Sequence, residues 1–286
     1  LEPLDSPEKN FTYLAIGEVQ AFVGSQTANF IGNALDTKVS IGRIDLGLLN
    51  RVIIDNVRID DQANKKLLTA TRLSAKISFT DLVKGGITIS SAQIFGLDAN
   101  IYRKDEKSNT NLQFIIDALA SKDTTKTKKP LNLEIGSLVI RHGKVRYNQL
   151  DSPDFRLTSL KHIDLSDISA HIILNRLTND SINLNIKKLA LKDKSGLKLR
   201  DFKLRAIASK KKAEIDKLYI ALSKSEINVD KAVATYDAKD SKSLLPSLQY
   251  EAEMEHSHVY LPDLAAVVPE LAKLANTINI STSISG

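Results

Sequence analysis

The chain of 286 residues contains no cysteine, no tryptophan and one methionine. The absence of cysteine excludes disulfide frameworks and thiolate metal ligands. Aromatic residues make up 5% of the chain, so a core has to be built from isoleucine, leucine and valine. The sequence also lacks a run of about 20 apolar residues, which is the length that a membrane-spanning helix needs. Thiol chemistry and a helical membrane span are therefore not expected within this sequence.

The charge of the chain is mixed, with 40 basic and 34 acidic residues and a net charge of +6. Lysines cluster at 126–129 and 210–212. Such runs are typical of solvated loops, and the alternative is contact with phosphate groups of lipids or nucleic acids. Sequence-independent nucleic-acid binding combines basic grooves with stacking aromatic residues. Few aromatic residues lie near these lysines, so we expect no nucleic-acid partner.

A β-strand pattern without attached chemistry recurs along the chain. Two apolar residues lie two apart, and a third follows five residues later. A spacing of two places side chains on one face of a strand. A spacing of five reverses the face, so each copy predicts a bulge, corner or turn that restores it. The four copies are Val39, Ile41 and Leu46; Ile87, Ile89 and Ile94; Leu133, Ile135 and Ile140; and Leu184, Ile186 and Leu191.

Strand signals dominate the whole chain, with few helical interruptions. Helical spacing is present at 18–35, 111–120 and 261–275, and the polar segment 121–130 reads as a linker. The predicted organisation is an N-terminal segment with an amphipathic helix (1–37), a β-module with a short helix (38–120), a second β-module (131–236) and the start of a further module (248–286). The predicted strands cover 39–46, 52–59, 67–79, 87–94, 97–102, 131–135, 138–140, 144–147, 155–160, 163–174, 181–191, 197–208, 214–222, 226–236 and 278–284.

The alternation of apolar with polar residues predicts antiparallel strands with one wet face. Roughly sixteen strands in one sheet would extend about 75 Å at ~4.8 Å per strand. Ordinary open sheets curl or split before that width, which leaves a barrel, a sandwich or an elongated curved sheet. The regular meander favours elongation. The predicted fold class is mainly β: an elongated, curved antiparallel sheet with a U-shaped groove, an N-terminal amphipathic helix and one or two short helices.

The sequence contains no phosphate-binding glycine loop, nucleophile elbow or dinucleotide fingerprint. Its one site-like cluster is Glu253, Glu255, His256 and His258. Two imidazoles that alternate onto one strand face can share a metal ion, as in a metal-dependent hydrolase. The simpler interpretation is a polar strand face. We therefore predict that the protein is not an enzyme and has no catalytic residues, no metal site and no cofactor.

Several loose motifs follow one another in a specific order. V-x-I-G-x-I-x-L lies at 39–46, V-x-I-x-D at 57–61, L-L-x-A-x-x-L at 67–73 and D-L-x-x-G-x-I-x-I at 81–89. Near the other end, D-L-x-x-x-x-P-x-L lies at 263–271 before a strand that ends in Gly286. In this order they resemble the TamB-like members of the AsmA superfamily over about the first hundred and the last thirty residues.

The resemblance implies an apolar trough that bridges the inner and outer membranes of a Gram-negative envelope and conducts phospholipids. It implies a periplasmic location, an N-terminal anchor in the inner membrane that precedes this sequence, phospholipid acyl chains as cargo and an outer-membrane barrel protein as partner. An assembly factor for outer-membrane or secreted proteins is the alternative, and a β-adhesin is a weaker one. Each trough candidate has a second interpretation as part of a dry core. The candidates are Ile87, Ile89, Leu133, Ile135, Ile182, Leu184, Ile186, Leu197 and Leu199.

Overall fold

The computed structural model of the chain describes residues 29, 32–33, 35–47, 51–77, 89–120, 136–152, 161–177, 181–236, 248–266 and 268–286. The described part is mainly β and forms one large curved sheet, which confirms the predicted fold class. Most of the helix predicted at 18–35 lies outside the described residues. Asn29, Gly32, Asn33 and Leu35, which are described, are helical.

Alternation of β-branched or other apolar residues with polar residues gives fifteen strands within the described ranges. The strands are β1 (Val39–Ser40), β2 (Ile44–Gly47), β3 (Arg51–Asp60), β4 (Lys66–Ile77), β5 (Ile89–Phe95), β6 (Asp98–Arg103), β7 (Ser137–Gln149), β8 (His162–Leu177), β9 (Ser181–Asp193), β10 (Lys198–Ser209), β11 (Lys212–Ala221), β12 (Glu226–Val229), β13 (Lys231–Thr235), β14 (Gln249–Tyr260) and β15 (Thr277–Ser285).

The described helices are short. Helix α1 spans Gln113–Ala120, within the predicted range 111–120. The helix predicted at 261–275 is instead two 3₁₀ segments, Leu261–Leu264 and Pro269–Lys273. Each of these segments has a proline in its first turn, where the missing N–H costs no hydrogen bond. The second proline would break a continuous helix, so the apolar spacing there does not produce one.

The strands form a meander of twelve rows. Three rows consist of two strands each: β1 with β2 beside β3, β5 with β6 beside β4, and β12 with β13 beside β11. The rows follow one another in chain order. Among the described strands, β15 pairs with β14 alone and the β1–β2 row with β3 alone, so this part of the sheet is open and not a barrel. Eleven spacings of ~4.8 Å give a width of about 53 Å.

One joint of the sheet is parallel. β5 and β6 run parallel to β7, from Ser91 opposite Ser137 to Arg103 opposite Gln149. Parallel neighbours need a long crossover, and the connection between β6 and β7 contains α1. The prediction of a purely antiparallel sheet is therefore wrong at this joint, and the sheet is mixed. The joint also hydrogen-bonds the predicted modules 38–120 and 131–236 into one sheet.

One-residue irregularities recur across the rows, as the spacing of five predicts. In β5 the register with β4 shifts beside Ile89, and in β9 the register with both neighbours shifts after Ile186. The row that contains Val39 and Leu46 is interrupted between β1 and β2. Three of the four copies thus contain the expected break, and the copy at Leu133 and Ile135 lies outside the described residues.

Left-handed backbone marks several of these interruptions. Asn56, His142, Asp167 and His256 have φ between 49° and 56° in the middle of strands. Gly96, with φ 67°, separates β5 from β6, and a Cβ at this position would lie 2.4 Å from the Thr71 hydroxyl oxygen. A side chain does not fit there without displacing Thr71. Bulges of this kind bend a strand and increase its twist, which suits a curved sheet.

Packing differs between the first rows of the sheet and the later ones. Ile44, Ile54, Val57 and Ala70 form a buried cluster on β2, β3 and β4. In contrast, every side chain of β9, β10, β12 and β13 is at least partly exposed. The first rows therefore have a dry core, whereas the later rows present the same kind of aliphatic side chain to a more open environment.

Asp61 organises the turn between β3 and β4. This side chain is 2% exposed, and Oδ1 accepts hydrogen bonds from the N–H groups of Ala63 and Lys65 at 2.9 Å each. Oδ2 accepts from the Tyr102 hydroxyl at 2.7 Å and from Asn111 Nδ2 at 3.2 Å. Burial raises the pKa of Asp61, but these hydrogen bonds outweigh it, so the pKa lies below its usual value. Burial and the Asp61 carboxylate raise the pKa of Tyr102 to about 12.

The contrast in packing predicts different costs for the same substitution on two strands. Ile54→Ala opens a cavity in the buried cluster and should lower the free energy of unfolding by about 3 kcal/mol. Ile186→Ala on β9 removes a partly exposed side chain and should cost about 1 kcal/mol. Urea denaturation of both variants measures the difference. Equal losses would mean that Ile186 lies in a core as dry as that around Ile54.

Asp61 should also make stability depend on pH. Its pKa is lower in the folded state than in the unfolded state, so its contribution is complete above about pH 4 and is lost as the pH falls through the folded value. Asp61→Asn should cost about 2 kcal/mol at pH 7, because an amide cannot accept all four hydrogen bonds. That difference should shrink toward pH 2 in urea titrations. A difference that stays constant with pH would contradict this role, and Tyr102→Phe, which keeps the carboxylate, is the matched control.

Candidate functional site: an apolar sheet face

The predicted residues of β9 lie side by side with aliphatic residues on both neighbouring strands. Leu184 is opposite Leu174 of β8 and Ala206 of β10. Ile186 is opposite Ile172 and Leu204 in the same way. Directly opposed residues project from the same face of a sheet, with Cβ atoms about 5 Å apart. A continuous apolar surface therefore crosses β8, β9 and β10.

The same register extends this surface beyond β9. On β7, Ile140 is opposite Ala170 of β8, and on β11, Leu218 is opposite Leu204 of β10. On every strand from β8 to β11 the positions on this side are isoleucine, leucine, phenylalanine or alanine, except for Asp193 at the end of β9, which is opposite Leu165. We call this surface the apolar face. Its members on these strands include Leu165, Ile168, Ile172, Leu174, Ile182, Leu184, Ile186, Leu189, Leu191, Leu199, Phe202, Leu204, Ile215, Leu218 and Ile220.

The sequence-predicted trough residues have different locations. Ile182, Leu184 and Ile186 lie on the apolar face of β9, and Leu199 lies on it in β10, opposite Leu191. Leu197 precedes β10, where its carbonyl accepts a hydrogen bond from Asp193 N–H at 2.9 Å. Ile89 begins β5 with its backbone opposite Ile77. The remaining three, Ile87, Leu133 and Ile135, lie outside the described residues.

Sequence reasoning missed much of the face on β8 and β11. On β8 the apolar positions step from Leu165 to Ile168, because Asp167 adopts a left-handed conformation at a register shift. On β11 the step from Ile215 to Leu218 skips Asp216 at another shift. In the sequence, these residues can be recognised because the spacing between apolar residues changes once from two to three and then returns to two.

The opposite side of the same strands, which we call the polar face, carries amides and charges. Asn175 Nδ2 donates to Asn183 Oδ1 at 3.1 Å. Lys203 pairs with Asp201 at 2.9 Å, and this hydrogen bond raises the pKa of the Lys203 ammonium group. Exposed pairs of this type contribute about 0–1 kcal/mol each. Their main effect is to keep this side of the sheet hydrated.

A second aspartate ties the far end of the sheet together. Asp263 Oδ2 accepts hydrogen bonds from the N–H groups of Lys224 and Ser225 at 2.7 Å and from Ser225 Oγ at 2.8 Å. Ser225 is 0% exposed. These contacts fasten the first 3₁₀ segment to the turn between β11 and β12. Asp61 and Asp263, which both belong to the family-like motifs, are therefore structural turn anchors.

The histidine pair on β14 is separated by a register irregularity between Met254 and Ser257. His256 has φ 49° and a side chain that is 91% exposed, and its Nδ1 lies 3.7 Å from Glu255 Oε2. His258 is opposite Glu226 of β12. In the part of the chain that the structure describes, no group of three or more histidine, aspartate or glutamate side chains is placed to hold a metal ion.

Comparison with models of protein families gives no match for this chain, and comparison with curated proteins gives none either. No helix among the described residues combines the length and apolar character needed to cross a bilayer. The resemblance to TamB-like proteins thus stays a prediction from the motifs, beside a sheet whose apolar face is now defined residue by residue.

Proposed function

We propose that this chain is the membrane-proximal part of a bridge-like phospholipid transporter of the TamB-like type, and that the apolar face holds acyl chains. The observation that carries the proposal is the continuity of that face: within strands β8 to β11 its one charged position is Asp193 at the end of β9, and on β9 and β10 its side chains are partly exposed.

The physical advantage of such a surface is large. Each CH₂ group gains about 0.8 kcal/mol on leaving water, so a sixteen-carbon chain in bare water is disfavoured by about 12 kcal/mol. An acyl chain in contact with a surface lined by Leu184, Ile186 and Leu204 avoids most of this free-energy cost at every row, and no chemical reaction is needed. Rows about 4.8 Å apart present similar side chains, so a lipid can move from one row to the next through a series of small steps.

The wider setting follows from the same proposal. The protein would lie in the periplasm, with an anchor in the inner membrane and a barrel protein of the outer membrane as its partner. The supporting observation is the order of the motifs at 39–46, 57–61, 67–73 and 81–89. Transport between two membranes also requires a surface that continues across many strands, and twelve rows in chain order support this part of the proposal.

A second function, as an assembly factor for outer-membrane or secreted proteins, is favoured by β15. This strand, Thr277–Ser285, contains neither a charged residue nor a proline, and all but one of its residues are exposed. Sheet edges are usually protected by charge, proline or a covering element. Among the described strands, β15 pairs with β14 alone, and where no further strand of the protein covers its other edge, that edge can accept an extended segment of a client protein.

Photocrosslinking on adjacent residues of β9 distinguishes the two faces. A benzophenone amino acid at Leu184 should form adducts with phospholipid when the purified protein is incubated with phospholipid vesicles and irradiated. The same label at Asn183, which lies one residue away on the polar face, should form few. Mass spectrometry of the intact protein counts the adducts.

Equal labelling at Leu184 and Asn183, or no lipid adduct at either, would contradict lipid binding by the apolar face. A label at Asn279 on β15 tests the second function in the same format. Adducts with a polypeptide client at Asn279, together with no lipid at Leu184, would favour the assembly factor.

A further inference from the structure

Positive charge is concentrated behind the apolar face. Between residues 181 and 217 the chain has twelve lysines and arginines but four aspartates and glutamates, so this segment carries more net positive charge than the whole chain with its +6. The segment comprises β9, β10 and most of β11. Since no lysine or arginine occupies the apolar face of these strands, the basic residues lie on the polar face and in the turns.

Some of this charge is neutralised locally, and a distinct group of lysines is not. Within the segment, ion pairs join Lys192 to Asp167, Arg200 to Glu226, Lys203 to Asp201, Arg205 to Asp216 and Lys212 to Glu214. Among the lysines within strands β9, β10 and β11, Lys187, Lys188, Lys198 and Lys217 form no ion pair with the described residues, and all four are exposed. We call these four residues the free lysines.

Two of the free lysines lie opposite another cation. Lys198 is the register partner of Lys192, and Lys217 is the register partner of Arg205. Like charges directly across a strand pair destabilise a sheet. Because Lys192 and Arg205 already have aspartate partners, the repulsion falls on Lys198 and Lys217. No ion pair with a described residue offsets this repulsion at Lys198 or Lys217.

An exposed apolar side chain lies on the same surface. Ile207 of β10 is 54% exposed and is opposite Asn183 of β9 and Glu214 of β11, both on the polar face. Arg205, two residues earlier on the same face of β10, and Lys217 opposite it are the cations next along this face. An apolar side chain beside cations is typical of surfaces that rest on anionic membranes, where the cations meet phosphate groups and the apolar group enters the headgroup layer. Single-stranded nucleic acid fits less well, since stacking residues are scarce here and Tyr219 is already covered by Lys203 at 5.3 Å.

We propose that the polar face of β9–β11 docks on the surface of an anionic phospholipid bilayer, with the free lysines at the phosphate groups. Docking in this way leaves the apolar face on the opposite side of the same three strands. The proposal does not depend on lipid transport, because it concerns the other side of the sheet and an electrostatic contact.

The test is flotation of the whole chain with vesicles of phosphatidylcholine that contain or lack phosphatidylglycerol, at low and high salt. Binding is expected only with phosphatidylglycerol and only at low salt. The double variant Lys198→Gln with Lys217→Gln should bind about 30-fold more weakly, given about fivefold for each lysine near an anionic surface. Its melting temperature should be unchanged or higher, because two repulsive contacts are removed. Lys104→Gln with Lys107→Gln removes the same charge from exposed positions between β6 and α1 and should bind like the unmodified chain.

Equal binding to neutral vesicles, or binding that persists at high salt, would overturn the proposal and point to insertion through the apolar face. Absence of binding to phosphatidylglycerol vesicles at low salt would overturn it as well. So would a double variant that binds no more weakly than the control variant. Lipid adducts at Leu184 are a separate readout, so docking and lipid binding can fail independently.

Discussion

The alternation of side chains along a strand is the constraint on which this structure depends. A strand of 12 or 13 residues, such as β7, β9 or β10, keeps one apolar side only if its sequence respects that alternation from end to end. On β9 the alternation instead changes step once, and the extra residue lies where the register with both neighbouring strands shifts, after Ile186. The apolar residues change their spacing at the same place where the register shifts. The apolar face therefore continues across the rows while the sheet curves.

The consequences differ along the sheet. In the first rows Ile54 and Val57 are buried in an apolar cluster. This cluster is a dry core and should provide much of the stability of these rows. On β9 and β10 the same residue types stay partly exposed, which an ordinary core would not permit. Asp61, which is buried, and Asp263, which is half-buried, hold the turns at either end through hydrogen bonds, and these add to the stability there. This division leaves the middle rows free to serve as a binding surface.

Much of the fold can be predicted from the sequence, because the spacing of apolar residues indicates the strands, the short helix α1 and the hydrated face of the sheet. The failures have local causes. Arg141, His142 and Gly143 suggest a turn, yet β7 runs through them because His142 adopts a left-handed bulge conformation. The parallel pairing of β5 and β6 with β7 was not predicted, because the apolar pattern within a strand does not depend on whether its neighbour runs parallel or antiparallel. On β8 the polar residue Asp167 interrupts the alternation of apolar residues, so the sequence alone does not indicate that the apolar face continues there. The opposition of Lys198 to Lys192 and of Lys217 to Arg205 depends on the strand register, which the sequence alone does not give.

We expect one apolar face to persist through the step in β9 and to contact lipid. Spin labels can be placed singly at each residue from 181 to 191, with phospholipid vesicles present, and their accessibility to oxygen compared with that to a water-soluble relaxation agent. The ratio should be highest at Ile182, Leu184 and Ile186 and then, after a step of three, at Leu189 and Leu191. An unbroken period of two through residues 187 and 188, or no periodicity at all, would contradict it.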